Sequence, residues 1–124
     1  MKLLLDTHIV LWAMADDARL PASLRTAITG AEALFISAAT VWEVMIKRAL
    51  GKLEVPEDLF DRALAAGARP LPIGWGHAQA VAHLPLHHAD PFDRMLIAQA
   101  RSEEMTLVSM DRQFYAYDVR LLNG

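Results

Sequence analysis

The sequence predicts an α/β fold with three layers, in which helices cover both faces of a mainly parallel central sheet. Short apolar runs typical of strands alternate along the chain with longer segments typical of helices, without repeats or low-complexity linkers. The length of 124 residues suits one domain, so residues 1–124 are expected to fold as a single unit. A hydrophobic fraction of 54% is sufficient for a substantial core.

The individual elements follow from local signals. Proline suits the first turn of a helix, glycine commonly follows the last turn, and two prolines within residues 69–73 predict a strand that is short or lies at an edge. Strands are expected at residues 2–5, 34–36, 69–73, 106–108 and 119–122, and helices at residues 7–15, 21–29, 37–50, 56–66, 76–83 and 91–103.

Composition excludes several functional classes. The absence of cysteine excludes disulfides, zinc-thiolate centres and cysteine nucleophiles, and it fits a cytoplasmic protein. No apolar run approaches the roughly 20 residues that span a bilayer, and the N-terminus does not have the pattern of a signal peptide. The net charge of −3 lacks the basic signature of a nonspecific nucleic-acid binder, although a cation-binding acidic cluster would bias that value.

Two acidic residues directly follow predicted strands. Asp6 ends the first apolar run, and Asp111 closes the strand-like run at residues 106–110. In parallel sheets, ligands bind beyond the carboxyl ends of the strands. Both acids are therefore expected at the same edge of the sheet, whatever the strand order.

Two further acids, Glu43 and Asp93, lie within apolar helical segments. Residues three and four apart share a helix face. These neighbours are Ala39, Ile46 and Leu50 for Glu43, and Leu96, Ile97 and Ala100 for Asp93. We expect both faces to point to the core. Both acids lie in the first half of their helix, near the end of the preceding strand, so all four carboxylates can converge.

Each acid also has an ordinary structural interpretation. Asp6 can cap a helix, Asp111 can form an Asx-turn, Asp93 can complement a helix dipole, and Glu43 can pair with Lys47 on a solvated face. Capping chemistry does not, however, require the four to meet. Because an unpaired buried charge is costly, their joint placement favours a divalent metal.

The ligand type indicates the chemistry. Sites built only from oxygen ligands suit Mg²⁺ or Mn²⁺. Such a site can activate water as a nucleophile and neutralise charge on a phosphodiester. The reaction class this predicts is hydrolysis at phosphorus.

Four ordered stretches carry a family resemblance. They are LLLDTH at residues 3–8, SAATVWE at 37–43, DPFDRMLIAQA at 90–100 and LVSMD at 107–111. On these motifs the chain resembles PIN-domain ribonucleases and, within them, the VapC-type toxins of bacterial VapBC toxin–antitoxin pairs. The resemblance implies a PIN-like three-layer α/β/α fold.

The same resemblance implies an activity and a set of residues. The activity would be Mg²⁺-dependent endonucleolytic cleavage of RNA, with Mn²⁺ as a possible substitute, leaving a 5′-phosphate and a 3′-hydroxyl. Asp6, Glu43, Asp93 and Asp111 would be the catalytic, metal-binding acids. Asp90 would be a helix cap, a group supporting the ligands, or an extra ligand through water. The implied partners are an RNA substrate, a VapB-type antitoxin and a second copy of the chain, with no membrane.

Several neighbouring residues have two interpretations. Thr7 and Ser109 would orient a carboxylate or simply cap and pack. Arg94 and Arg112 would contact an RNA phosphate or pair with an acid. The histidines, including the pair at residues 87–88, are expected to be structural or surface groups.

Two clusters have possible roles in binding. Lys47, Arg48 and Lys52 would hold RNA backbone or complement a helix C-terminus. Most large apolar residues belong to a core, but the resemblance suggests that some of Trp12, Trp42 and Met45 line an antitoxin groove or a homodimer interface. An antitoxin arginine could enter the acidic pocket and displace metal.

Two competing functions remain. A receiver-like phosphoryl-signalling domain needs an aspartate after a middle strand and a late lysine, yet neither is present after residues 34–36 or beyond Lys52. A PIN-like RNA-binding module that no longer cuts would lack some of the acids, and none is missing here.

Overall fold

A computed structural model describes residues 1–124 as five strands and six α-helices. The strands are β1 (Lys2–Leu5), β2 (Ala33–Ser37), β3 (Arg69–Leu71), β4 (Thr106–Val108) and β5 (Leu121–Leu122). The helices are α1 (Thr7–Met14), α2 (Ala22–Thr29), α3 (Ala38–Ala49), α4 (Leu59–Ala65), α5 (Trp75–Ala80) and α6 (Pro91–Ser102). Short 3₁₀ helices at Val81–His83 and Arg112–Ala116 complete the secondary structure.

The strands form one sheet in the order β3-β2-β1-β4-β5, and every neighbouring pair is parallel. β1 lies at the centre, where Leu4 is in register with Phe35 of β2 and Leu107 of β4. Helices cover both faces of this sheet. The predicted three-layer α/β/α architecture with a parallel sheet is confirmed.

The two faces of the sheet bury separate apolar clusters. Successive strand residues point to opposite faces, so Leu4 packs with α6 residues on one face, whereas Leu3 and Leu5 pack with α1 and α2 residues on the other. Ile97 of α6 and Ile9 of α1, one in each cluster, are both 0% exposed. The central strand is therefore held from both sides.

β3 is short and lies at an edge of the sheet, as the two prolines within residues 69–73 predicted. Pro70 is in register with Ile36 of β2, and β3 has no neighbour on its other side. Because proline lacks a backbone donor, this position suits an edge.

Some predicted boundaries and faces are wrong. The helix expected from residue 56 begins at Leu59, after a turn, and the helix expected over 76–83 changes to 3₁₀ geometry at Val81. The face of α3 that carries Glu43 is buried only at its start, since Ile46 is 37% and Leu50 63% exposed. No helix in the structure combines the length and apolar character that a bilayer crossing would need.

Candidate functional site

Asp6 and Asp111 lie at the carboxyl edge of the sheet, each just beyond a strand. Asp6 follows β1 and caps α1, because its Oδ1 accepts a hydrogen bond from the Ile9 backbone N–H at 2.9 Å. Asp111 follows β4 and caps the second 3₁₀ helix, where its Oδ1 accepts from the Gln113 N–H at 3.0 Å. Both acids therefore have the local capping role that their sequence context allowed.

Ser109 connects these two acids. Its hydroxyl is buried, donates to Asp6 Oδ2, and accepts from the Asp111 backbone N–H at 3.0 Å. One oxygen of Asp6 is thus fixed by the helix backbone and the other by Ser109. Capping and packing alone do not account for a serine placed between two acids, whereas the expected role of orienting a carboxylate does.

Glu43 reaches the same edge from α3. Its side chain is 8% exposed, and its Oε1 accepts a hydrogen bond of 2.6 Å from the Thr7 hydroxyl, next to Asp6. Its Oε2 accepts from Lys47 Nζ at 2.9 Å. The pairing with Lys47 exists, as the structural interpretation allowed, but it involves a buried carboxylate and not a solvated face.

Asp93 and Asp90 begin α6 and meet a histidine there. Asp90 Oδ1 accepts from the backbone N–H groups of Phe92 at 2.9 Å and Asp93 at 3.3 Å, so Asp90 is the helix cap. Asp93 Oδ2 lies 2.8 Å from His88 Nε2. One donor atom from each of His88, Asp90 and Asp93 lies within 4.8 Å of the others.

Burial makes ionisation of Asp6 and Asp93 unfavourable. Burial raises the pKa of Asp6, with a smaller upward contribution from Asp111, and the hydrogen bonds from Ser109 and Ile9 offset this only in part. Burial likewise raises the pKa of Asp93 to about 6. For Asp93, the hydrogen bond with His88 opposes the rise, while the charges of Asp90 and Asp6 add to it.

Lys47 supplies positive charge to this group. Its hydrogen bond with Glu43 raises the pKa of Lys47, and the charges of Asp90 and Asp93 act in the same direction. Lys47 therefore shares one electrostatic environment with Glu43, Asp90 and Asp93, and the charge of Asp6 also acts on Asp93. The negative charge of the carboxylates exceeds the single positive charge of Lys47. Their oxygen-rich donor set fits a divalent cation.

Arg94 is buried and does not pair with an acid. It is 8% exposed, and its guanidinium donates to the carbonyl oxygens of Val81, Leu84, Pro85 and His88 and to the Tyr117 hydroxyl, at 2.9–3.4 Å. Both sequence interpretations of Arg94 are wrong. It fixes the segment before α6, and with it the position of His88. Arg112, by contrast, is exposed and forms none of the ion pairs found in the structure.

The sequence analysis also missed the contact of His88. We expected a structural or surface group, yet its ring lies 14% exposed against Asp93. The spacing of five residues between His88 and Asp93 was visible, but it spans a loop and the start of a helix, so no periodicity applied. His87 is exposed and packs edge-on against Tyr117, with ring centroids 5.2 Å apart.

A cleft of about 240 Å³ opens beside the acids. It is lined by Asp6, His8, Trp12, Met110 and Asp111. His8 and Trp12 also line an adjoining cavity of about 480 Å³ between α1 and residues 53–62. A further cavity of about 510 Å³, between α1, α2, β2 and α4, is mostly apolar and contains none of the site acids. Of these three cavities, only the smaller cleft is lined by Asp6 and Asp111.

The fold and the acidic edge define a class of protein: a parallel α/β domain with carboxylates gathered where its strands end. The family model of the PIN domain matches residues 3–120. The chain therefore belongs to the PIN domain family.

Solved structures of similar fold cover almost the whole chain. VapBC2 from Rickettsia felis, bound to a DNA fragment from its promoter, matches with a TM-score of 0.72 and 16% identity over 99% of this chain and 98% of that one. DNA-bound VapBC from Salmonella typhimurium matches at 0.71 and 18% over 98% and 97%. VapBC-1 from nontypeable Haemophilus influenzae matches at 0.71 and 18% over 99% and 98%. A comparison with curated proteins finds no significant sequence match.

Proposed function

We propose that this protein is the toxin component of a type II toxin–antitoxin pair and acts as a Mg²⁺-dependent endoribonuclease. The observation that carries the proposal is the gathering of Asp6, Glu43, Asp93 and Asp111 at the carboxyl edge of the sheet. PIN domains are generally nucleases that depend on divalent metals, and the structural neighbours are complexes of the VapBC type.

These four acids would hold the metal, with Mn²⁺ as a possible substitute for Mg²⁺. When bound, such a cation activates water and neutralises charge on a phosphodiester. Asp90 caps α6 through Oδ1, so its contribution would come from the other oxygen or through water.

Other residues of the chain orient the acids and supply positive charge beside them. Ser109 and Thr7 hold one oxygen each of Asp6 and Glu43 in fixed directions. Such supporting hydrogen bonds orient ligands and tune their basicity. Lys47 pairs with Glu43 and is partly exposed, so it can also attract an RNA phosphate. Arg48 and Lys52, exposed at the end of α3, extend the positive charge.

The antitoxin is expected to bind along α1 and to end at the acids. The cavity between α1 and residues 53–62 is lined by Leu11, Leu53 and Val55, among others, and it shares His8 and Trp12 with the acidic cleft. A peptide with apolar side chains and an arginine suits such a surface, because the guanidinium can pair with the carboxylates.

A homodimer is expected to form through α3. Trp42 is 60% exposed, and Met45 and Ile46, which lie on the same side of α3, are 36% and 37% exposed. Trp42 packs edge-on against Phe92 of α6, with centroids 5.2 Å apart, so it is held in place without being covered. Aromatic anchors of this kind are common at interfaces.

The test compares RNA cleavage by the wild type and by Asp6→Asn and Asp93→Asn variants, with folding checked by circular dichroism. We expect cleavage that needs Mg²⁺, stops with EDTA, and is lost in both variants while the fold survives. Expression should also be toxic, and co-expression of the antitoxin should relieve that toxicity. Asp61→Asn, a change to an exposed acid on α4, is the matched control and should cleave like wild type.

The alternative is a PIN-like module that binds RNA without cutting it. This alternative predicts that the wild-type protein binds RNA equally well with and without Mg²⁺ and does not cleave it. Unchanged cleavage in Asp6→Asn or Asp93→Asn would instead contradict the assignment of the site.

A further inference from the structure

His88 lies at the acidic site in a position that its surroundings fix. Its Nε2 is 2.8 Å from Asp93 Oδ2, and its ring is 14% exposed. The backbone around it is held twice: its N–H donates to the Tyr117 hydroxyl at 2.9 Å, and its carbonyl oxygen accepts from Arg94. The imidazole therefore reaches Asp93 from a loop that buried polar contacts hold.

The hydrogen bonds of Arg94 leave Asp93 without a guanidinium partner. A buried guanidinium ordinarily pairs with a carboxylate, and Asp90 and Asp93 are close in sequence. Arg94 instead gives its hydrogen bonds to carbonyl oxygens of the preceding segment and to Tyr117. Asp93 is left to the imidazole, which is neutral unless protonated and is able to coordinate metal.

The spacing of these donors suits one ion. Two ligands about 2.1 Å from the same octahedral ion, at right angles, are about 3 Å apart. His88 Nε2 and Asp93 Oδ2 are separated by 2.8 Å. One carboxylate oxygen of Asp90 lies within 4.8 Å of one donor atom of each of these residues. A cation can therefore take the place of the proton shared by His88 and Asp93.

We infer that His88 is a nitrogen ligand of the metal centre and makes it select Mn²⁺ over Mg²⁺. The inference rests on the proposed metal-dependent function and revises one part of it: Mn²⁺, proposed above as a substitute, would bind more tightly than Mg²⁺. Imidazole suits transition metals, whereas Mg²⁺ prefers oxygen ligands and retains water. A site of carboxylates alone would distinguish the two ions less.

The substitution that isolates this role is His88→Gln. Glutamine can still donate a hydrogen bond toward Asp93, but it removes the imidazole nitrogen. The backbone contacts of residue 88 to Tyr117 and Arg94 do not involve its side chain, so the loop should persist. His87→Gln is the matched control, because His87 is the adjacent, exposed histidine, packs on Tyr117 and does not belong to the donor group of His88, Asp90 and Asp93.

The experiment measures the binding of Mn²⁺ and Mg²⁺ by titration calorimetry, and ¹⁴N coupling to bound Mn²⁺ by pulsed electron paramagnetic resonance. We expect ¹⁴N coupling in wild type and His87→Gln and its loss in His88→Gln. In His88→Gln, Mn²⁺ affinity should fall about tenfold while Mg²⁺ affinity changes by less than about twofold.

Each other outcome contradicts the inference in a recognisable way. If His88→Gln weakens the binding of Mn²⁺ and Mg²⁺ equally, and wild type shows no ¹⁴N coupling, His88 only positions Asp93. If His88→Gln keeps the wild-type preference between Mn²⁺ and Mg²⁺, His88 is not a metal ligand, and the proposed nuclease function is unaffected by that result. Failure of wild-type protein to bind either ion would overturn both the inference and the proposed function.

Discussion

At the scale of single residues, the candidate site includes two carboxylates, Asp6 and Glu43, that are buried, where an unpaired charge is costly. Asp6 is 4% exposed and has hydrogen bonds to both oxygens, yet burial still raises its pKa. Local hydrogen bonds therefore orient this acid without fully compensating its charge. The sequence predicted the location of Asp6 and Asp111, because the carboxyl ends of parallel strands share an edge.

The raised pKa of Asp93 predicts that the stability of the metal-free protein depends on pH. Its folded-state pKa of about 6 exceeds its ordinary value of 3.8, so between these values the folded state holds a proton that the unfolded state has lost. The free energy of unfolding should therefore fall as pH rises through this window. Urea denaturation of wild type and Asp93→Asn between pH 4 and about pH 6 measures the difference. Parallel pH profiles for the two proteins would contradict the assignment to Asp93.

Ser109→Ala should weaken the site more than the fold. The change leaves Asp6 Oδ2 and the Asp111 N–H without their partner, so divalent-metal affinity should fall about 10- to 100-fold. The free energy of unfolding should fall by about 1–3 kcal/mol. Calorimetric metal titration and urea denaturation measure the two effects. Ser102→Ala, at the exposed end of α6, serves as control, and unchanged metal affinity in Ser109→Ala would exclude the orienting role.

At the scale of elements, the positions of the acids depend on how helices begin. α1 and α6 start at aspartate caps, and α3 starts at Ser37, whose hydroxyl accepts from the Ala39 N–H at 3.0 Å. The same hydroxyl lies 2.5 Å from Gln99 Oε1, so the cap of α3 is bound to α6. The helices that carry Glu43 and Asp93 are thereby fixed to each other by a buried polar contact.

The residues preceding α6 show where sequence patterns stop being informative. The caps at Asp90 and Ser37 follow from local signals: a helix was predicted to begin at residue 37, and capping was one of the predicted roles of Asp90. The place of His88 depends on Arg94 and on Tyr117, which lies 29 residues further along the chain. Such a contact leaves no periodic trace. The exposure of Ile46 and Leu50 was likewise hidden, because the apolar pattern of α3 continues beyond the part that the sheet and α6 cover.

Arg94→Met should destabilise this segment strongly. Methionine fills part of the volume but leaves the carbonyl oxygens of Val81, Leu84 and Pro85, together with the Tyr117 hydroxyl, without their donor. We expect the free energy of unfolding to fall by about 3 kcal/mol. Arg112→Met, at an exposed position, should change it by less than about 0.5 kcal/mol. Urea denaturation tests both, and equal small effects would contradict the role given to Arg94.

At the scale of the whole molecule, the sheet joins two apolar clusters and gathers charge at one edge. The α/β alternation in the sequence predicted this architecture, and the family comparison agrees with it over residues 3–120. Strand order could not be predicted, because the pattern does not say that β4 returns to lie beside β1. The edge site is thus built from segments far apart in the chain.

Divalent metal should stabilise the whole protein. A cation that binds the folded state offsets the burial cost of the acids, and at one hundred times its dissociation constant it adds about 2.7 kcal/mol to the free energy of unfolding. Scanning calorimetry should show a rise in Tm with Mn²⁺ or Mg²⁺ that EDTA reverses. The Asp6→Asn, Asp93→Asn double variant should show no such rise, whereas Asp61→Asn should respond like wild type. A Tm independent of metal in wild type would contradict the metal centre.

The proline in β3 disfavours the pairing of a further strand at that edge of the sheet. A growing sheet needs donors along its outer strand, and Pro70 removes one from the edge where β3 lies. At the opposite edge β5 offers only Leu121–Leu122. Neither border is a good template for uncontrolled stacking of copies. We therefore expect partners to bind at the helical layers, where side chains determine which surfaces fit.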